Sequence, residues 1–197
     1  MNLYFVTGGA GCGKSAYAET LCERKARAFG GRKIYLATMA NDGSPETKAK
    51  ISRHRQLRAG KGFVTIERQN RIGQAAGEIR PGDCVLLEDL GNLTAGEMFG
   101  GQESGFAELP EEKKAEVLKK KKSEILAGLC ALAEAAGESG SLIIVSNEVG
   151  LDGCAYDPLT MQYIRLLSAL NRELAARSAL AVRLVAGIPV ILKGKEC

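Results

Sequence analysis

The stretch VTGGAGCGKSAYAETL, Val6–Leu21, decides the fold. It closes an apolar, strand-like run (LYFVT, 3–7), crosses a glycine-rich loop and opens a helical pattern over 14–28. Gly8 to Ser15 satisfies the spacing G-x-x-x-x-G-K-[ST] between a strand and a helix, which is the context that pattern requires. The spacing has a mechanism. Backbone N–H groups of Gly8, Gly9, Ala10, Gly11, Cys12 and Gly13 converge on phosphate oxygens, and Lys14 reaches the outer phosphates as a catalytic cation. The Ser15 hydroxyl ligates Mg2+, and the helix N-terminus adds its partial positive charge.

Outward from that loop, apolar runs at 33–38, 63–67, 84–88, 141–146 and 180–185 alternate with helical patterns near 45–59, 111–136 and 157–177. Such alternation predicts crossover connections and a mostly parallel sheet, so the expected class is α/β with helices on both faces. The final AGIPVILKG follows the sixth run too closely for a crossover helix and predicts an antiparallel edge hairpin. The Gly- and Glu-rich region 95–114 reads as a flexible surface loop or lid. The Lys119–Lys122 run lies among Glu116 and Glu124 and reads as a solvated helix face. With 197 residues, the chain fits a single nucleotide-binding domain over 1–197.

A net charge of +4, with no Trp and only five Tyr and five Phe, argues against a nucleic-acid partner. No apolar run is long enough to span a membrane, the N-terminus lacks a leader pattern, and the six cysteines form no CxxC pair. A reducing, cytoplasmic setting is expected.

A P-loop needs a carboxylate at the end of a nearby buried strand to hold the metal's water shell. CVLLED supplies Glu88, with Asp89 behind it as a second candidate or a cap for the following segment. Absence of Asn-Lys-x-Asp argues against a switch GTPase. SNEVG follows an apolar strand, which places Asn147 and Glu148 either at the carboxyl edge, where ligands gather in open parallel sheets, or in a cap and tight turn. Thr38 ends the second run and Glu67 the third, at the same edge. The single histidine, His54, sits in KISRHRQLR. If that segment is helical, Lys50, His54 and Arg58 share one face. Neighbouring cations keep an imidazole neutral and nucleophilic while binding a polyphosphate.

Together VTGGAGCGKS, YLATM, ETKAKISRHRQLR, VLLEDLGNLTAGEMF, SNEVG, LNRELA and LVAGIPVILK resemble the bifunctional adenosylcobinamide kinase/adenosylcobinamide-phosphate guanylyltransferase family, nearly end to end. The resemblance implies a RecA-like P-loop NTPase fold in three layers and a homo-oligomer, a trimer by the family's habit. It implies phosphorylation of the aminopropanol hydroxyl of a corrinoid substrate, then transfer of GMP from GTP to that phosphate through a guanylylated histidine, here His54. Mg2+ and GTP, with ATP as another donor for the kinase step, are the implied co-reactants, and Glu67 matches an acidic position near the nucleotide. The family's P-loop usually has Arg and Ser where this chain has Gly11 and Cys12. Its Phe-Arg-Asp, Gly and Asn-Gln positions correspond here to Tyr163, Ile164, Arg165, Ser168, Asn171 and Arg172. Two other readings stay open: a nucleoside-type P-loop kinase without a covalent intermediate, and a RecA-like regulatory ATPase or binding module.

Overall fold

The computed structural model of the chain describes residues 2–40, 43–45, 47–49, 52, 56, 59–100, 106 and 109–195. Seven strands among them form one sheet: β1 (Leu3–Gly8), β2 (Lys33–Ala37), β3 (Phe63–Glu67), β4 (Cys84–Glu88), β5 (Ser141–Val145), β6 (Leu180–Val185) and β7 (Ile188–Lys193), ordered β3-β2-β4-β5-β1-β6-β7. All neighbours run parallel except β6 and β7, which pair antiparallel across the turn at Ala186 and Gly187. That is the expected edge hairpin. Besides helical residues within 45–56, the described residues form α1 (Lys14–Phe29), α2 (Leu90–Phe99), α3 (Glu111–Ala136) and α4 (Pro158–Arg177), with a 3-10 segment at Ile72–Glu78.

Strand periodicity of two divides the core. Tyr4, Val6, Cys84, Leu86, Ile143 and Val145 meet Ala18, Leu21, Cys22 and Ala26 of α1. Their neighbours Leu3, Phe5, Val85, Leu87, Leu142 and Ile144 face the opposite way, onto α2, α3, α4 and the 3-10 segment. Strands covered on both faces have no polar side to show, which is why the central ones read as unbroken apolar runs. The result is three layers of α/β architecture with a mostly parallel sheet.

The sequence patterns miss two elements and misplace one boundary. Helix α2 was not expected, since its mixture of Gly, Asn and Thr carries little helical periodicity. It forms because Asp89 caps it, the side chain accepting from the Asn92 N–H, and because Leu90, Leu93 and Met98 reach the core. Residues 95–99 and 111–114 of the expected 95–114 loop are therefore helical, while 101–105, 107 and 108 lie outside the described residues. The 3-10 segment is held by a close approach to α3. A Cβ on Gly128 would lie 2.6 Å from an Ile72 methyl and 2.9 Å from the Gly73 nitrogen. Of the segment expected as a helix over 45–59, residues 45, 47–49, 52 and 56 are helical.

Ile144 is fully buried on β5, the strand between β1 and β4. Ile144→Ala should lower stability by about 3 kcal/mol through lost burial and the cavity left behind. Urea unfolding should show this as a lower midpoint at unchanged slope.

Candidate functional site

Six parallel strands end at one edge, and the described sequence-predicted residues are distributed along it. β1 delivers Gly8 with φ 153°, where an added Cβ would lie 2.7 Å from the Leu184 carbonyl oxygen and 2.6 Å from Cys12 Sγ. Only glycine fits that approach to β6. The loop turns into α1 at Gly13 (φ 92°), and no side chain caps the helix. Its first-turn N–H groups are thus left for an outside acceptor. Lys14 is buried, and its Nζ donates to the Gly9 carbonyl at 3.0 Å, folding back over the loop. On the far side the Gly187 N–H donates to the Cys12 carbonyl at 3.0 Å, and the Glu148 N–H donates to the Gly8 carbonyl at 3.1 Å.

Ser15 Oγ donates to Glu88 Oε1 at 2.6 Å. Glu88 Oε2 is sealed from solvent and has no partner among the described residues. Burial pushes the Glu88 carboxyl up to about 7; the Ser15 hydrogen bond and Lys14 oppose that rise, and Asp89 adds to it. A buried carboxylate oxygen with nothing to accept from calls for an occupant. Together with the Ser15 hydroxyl it matches the oxygen donors that Mg2+ takes beside phosphates. The residues present therefore fit the metal.

Asp89 is used differently. It is the N-cap of α2: Oδ1 accepts from the Asn92 N–H at 2.7 Å and Oδ2 from Asn147 Nδ2 at 2.9 Å. Burial raises its carboxyl above the ordinary range, against these hydrogen bonds. Thr38 is fully buried, and its hydroxyl donates to the Asp89 carbonyl at 2.7 Å. It joins the ends of β2 and β4. Glu148 is held by Arg183, whose Nε and Nη2 donate to Oε2 at 3.1 and 2.8 Å. Asn147 is not a helix cap, since α4 begins eleven residues on under Asp157.

Glu67 is not brought to this cluster. It ends β3, the outermost strand, four strand positions from β1. At roughly 4.8 Å per position that is about 19 Å across the sheet. His54, Lys50 and Arg58 lie outside the described residues. Sequence reasoning missed the roles of Arg183, Ser146, Tyr163 and Asn171, which reach the edge from β6, the end of β5 and α4. Only the helical spacing of Tyr163 and Asn171, two turns apart on α4, could have signalled that both face the same way.

The family model for cobinamide kinase/cobinamide phosphate guanyltransferase matches residues 4–192. The chain belongs to this family. Two curated relatives span nearly the whole length. The bifunctional adenosylcobalamin biosynthesis protein CobU of Escherichia coli strain K12 is 27% identical, covering 97% of this chain and 99% of its own. The bifunctional adenosylcobalamin biosynthesis protein CobP of Pseudomonas aeruginosa is 28% identical, covering 96% of each. A solved ATPase domain at 10% identity superposes with a TM-score of 0.54 over 99% of this chain and 78% of that one. At that identity the likeness concerns fold alone: a P-loop, RecA-like α/β domain. Among the described residues no helix is long and apolar enough to cross a membrane.

The Glu88 shift has a signed consequence in magnesium-free buffer. Between its ordinary value of 4.5 and about 7, the folded chain keeps a proton that the unfolded chain has released. Stability from this group therefore falls as pH rises through that window, by at most about 3 kcal/mol, and levels off above it. Glu88→Gln should remove that slope, read by urea unfolding across the same pH range.

Proposed function

We propose that this chain phosphorylates the aminopropanol hydroxyl of adenosylcobinamide and then transfers GMP from GTP to the resulting phosphate through a guanylylated His54. The observation that carries the reading is the family model spanning residues 4–192. The bond between Ser15 and Glu88 supports its phosphate-handling half.

In the first half-reaction the backbone N–H groups of Gly8–Gly13 and the α1 N-terminus hold the donor's phosphates. Lys14 has only to leave the Gly9 carbonyl to reach the outer phosphate, and it offsets the charge that develops there. Ser15 and Glu88 are the residues that would hold Mg2+, with Glu88 Oε2 as the unpaired oxygen. When bound, the ion neutralises phosphate charge and orients the group transferred. GTP serves as donor, with ATP as an alternative in this step.

In the second half-reaction the neutral His54 imidazole attacks the α-phosphorus of GTP. An N–P bond forms, the bond from that phosphorus to the bridging oxygen breaks, and pyrophosphate leaves with the electron pair. A phosphate oxygen of the corrinoid then attacks the same phosphorus, the N–P bond breaks and the imidazole is regenerated. Two transfers replace one direct approach of two anions. Lys50 and Arg58 stabilise the departing charge. The reading includes a homo-oligomer, with the trimer that the family resemblance implies. It is supported by the apolar side chains of Ile188, Val190, Ile191 and Leu192 exposed on β7. It also includes a reducing cytoplasmic setting, supported by free thiols at Cys12, Cys22, Cys84, Cys130 and Cys154.

Incubation with GTP labelled at the α-phosphate should leave an acid-labile label on the denatured protein, absent from His54→Ala. Label retained by that variant, or never formed with magnesium present, removes the covalent route. Lys14→Ala should lower phosphate transfer to the corrinoid by ~100-fold or more, because its charge acts on the transition state. Turnover within a factor of two of wild type would unseat the P-loop assignment.

A further inference from the structure

The same sheet edge holds a second polar cluster that the phosphate cradle does not use. Glu88 turns to Ser15 at the α1 layer, whereas Asp89 caps α2 on the other side. Around Asp89 nearly every hydrogen-bonding group is committed. Its two oxygens accept from the Asn92 N–H and from Asn147 Nδ2. Asn171, from α4, accepts from Ser146 Oγ at 2.6 Å and donates through Nδ2 to the Asn147 carbonyl at 3.3 Å. The Tyr163 hydroxyl donates to the Gly91 carbonyl at 3.3 Å. These groups close around a bare Cα. A Cβ on Gly91 would stand 3.0 Å from the Tyr163 hydroxyl, 3.1 Å from Asp89 Oδ1 and 3.5 Å from Asn147 Nδ2.

Asn147 Oδ1 accepts from no described residue. The amide cannot turn over, because that would set Oδ1 against the Asp89 carboxylate. Its backbone is fixed too, by Asn171 at its own carbonyl and by the next residue's N–H on Gly8. A half-buried acceptor of set direction is therefore presented two residues past the end of β5, the strand beside β1, next to the loop that would hold the transferable phosphate.

We propose that Asn147 binds the acceptor hydroxyl of the corrinoid in the phosphorylation half-reaction, with Asp89 and Asn171 as positioning residues; this rests on the function proposed above. An acceptor of fixed direction selects a donor, and an alcohol O–H is one. A phosphate monoester carries nearly two negative charges at neutral pH and meets the Asp89 carboxylate directly behind the amide. The cluster thus receives the alcohol and rejects its phosphorylated form. In the step itself the alcohol oxygen bonds to the γ-phosphorus, the bond from that phosphorus to the bridging oxygen breaks, and the electron pair leaves on the nucleoside diphosphate. The hydroxyl proton passes to water; Asn147 holds the O–H in place and exchanges no proton.

The test measures initial rates of phosphate transfer to adenosylcobinamide in the full chain, alongside titration with a fluorescent GTP analogue. Asn147→Ala should lower kcat/KM for the corrinoid by ~10-fold or more while the analogue's Kd stays within about twofold, as expected for one lost hydrogen bond at the substrate. Asn171→Asp keeps the acceptor for Ser146 but loses the donor to the Asn147 carbonyl. It should show a smaller loss, roughly threefold, again confined to the corrinoid. If Asn147→Ala does not give a cooperative melt, Asn147→Ser decides in its place. Wild-type corrinoid kinetics in the folded Asn147 variant, or an equal loss in analogue binding, overturns the assignment of Asn147 alone. A wild-type chain that transfers no phosphate to the corrinoid overturns the function proposed above and this assignment with it.

Discussion

Ser15 and Glu88 stand 73 positions apart in the chain and 2.6 Å apart in space, and the rest of the site is arranged around that bond. It joins the first turn of α1 to the end of β4 across the intervening β5. For the hydroxyl to meet the carboxylate, β1, β5 and β4 must be in register, and the registers place Leu87 opposite Ile144 and Val6 opposite Val145. The bond also leaves Glu88 Oε2 buried and unpaired. Burying such an atom unpaired costs on the order of 1–3 kcal/mol, which is why this oxygen, beside the Ser15 hydroxyl, suits a cation.

Successive acidic residues serve opposite layers of the sheet. Glu88 is committed to α1 and the glycine loop. Asp89 caps α2 and orients Asn147, and Thr38 clamps its carbonyl. The two part company because β4 ends at Glu88, while Asp89 lies past the strand as the N-cap of α2. One sheet edge thereby carries separate polar clusters within a few residues of each other, one at the glycine loop and one beside it.

In the loop itself Gly11 has a φ of 69°, in the left-handed region where a side chain is strained. The turn of the β6–β7 hairpin supports the loop from the other side through the Gly187 N–H on the Cys12 carbonyl. Arg183, one residue along β6 from the Leu184 carbonyl that excludes a side chain at Gly8, holds Glu148 at the neighbouring strand end. The C-terminal hairpin is thus part of the support of the phosphate site, although it is the last segment of the chain.

What the amino-acid order determined by itself was whatever depends on near neighbours. Apolar runs marked β1 to β6, the short AGIPVILKG ending marked the closing hairpin, and the strand–glycine–helix context marked Gly8–Ser15 and pointed to Glu88. Helix α2 escaped because its signal is a cap and a buried face rather than a periodicity. Only the tertiary structure decided which edge residues meet. Thr38 was drawn into the β2–β4 junction, Glu67 was carried four strands from β1, Glu148 was claimed by Arg183, and Asn147 was locked between Asp89 and Asn171. The physical reason is strand order. A local pattern says that a residue ends a strand, but which strand lies alongside is set by how the crossovers pack the whole core, and that is written in no single stretch of the chain.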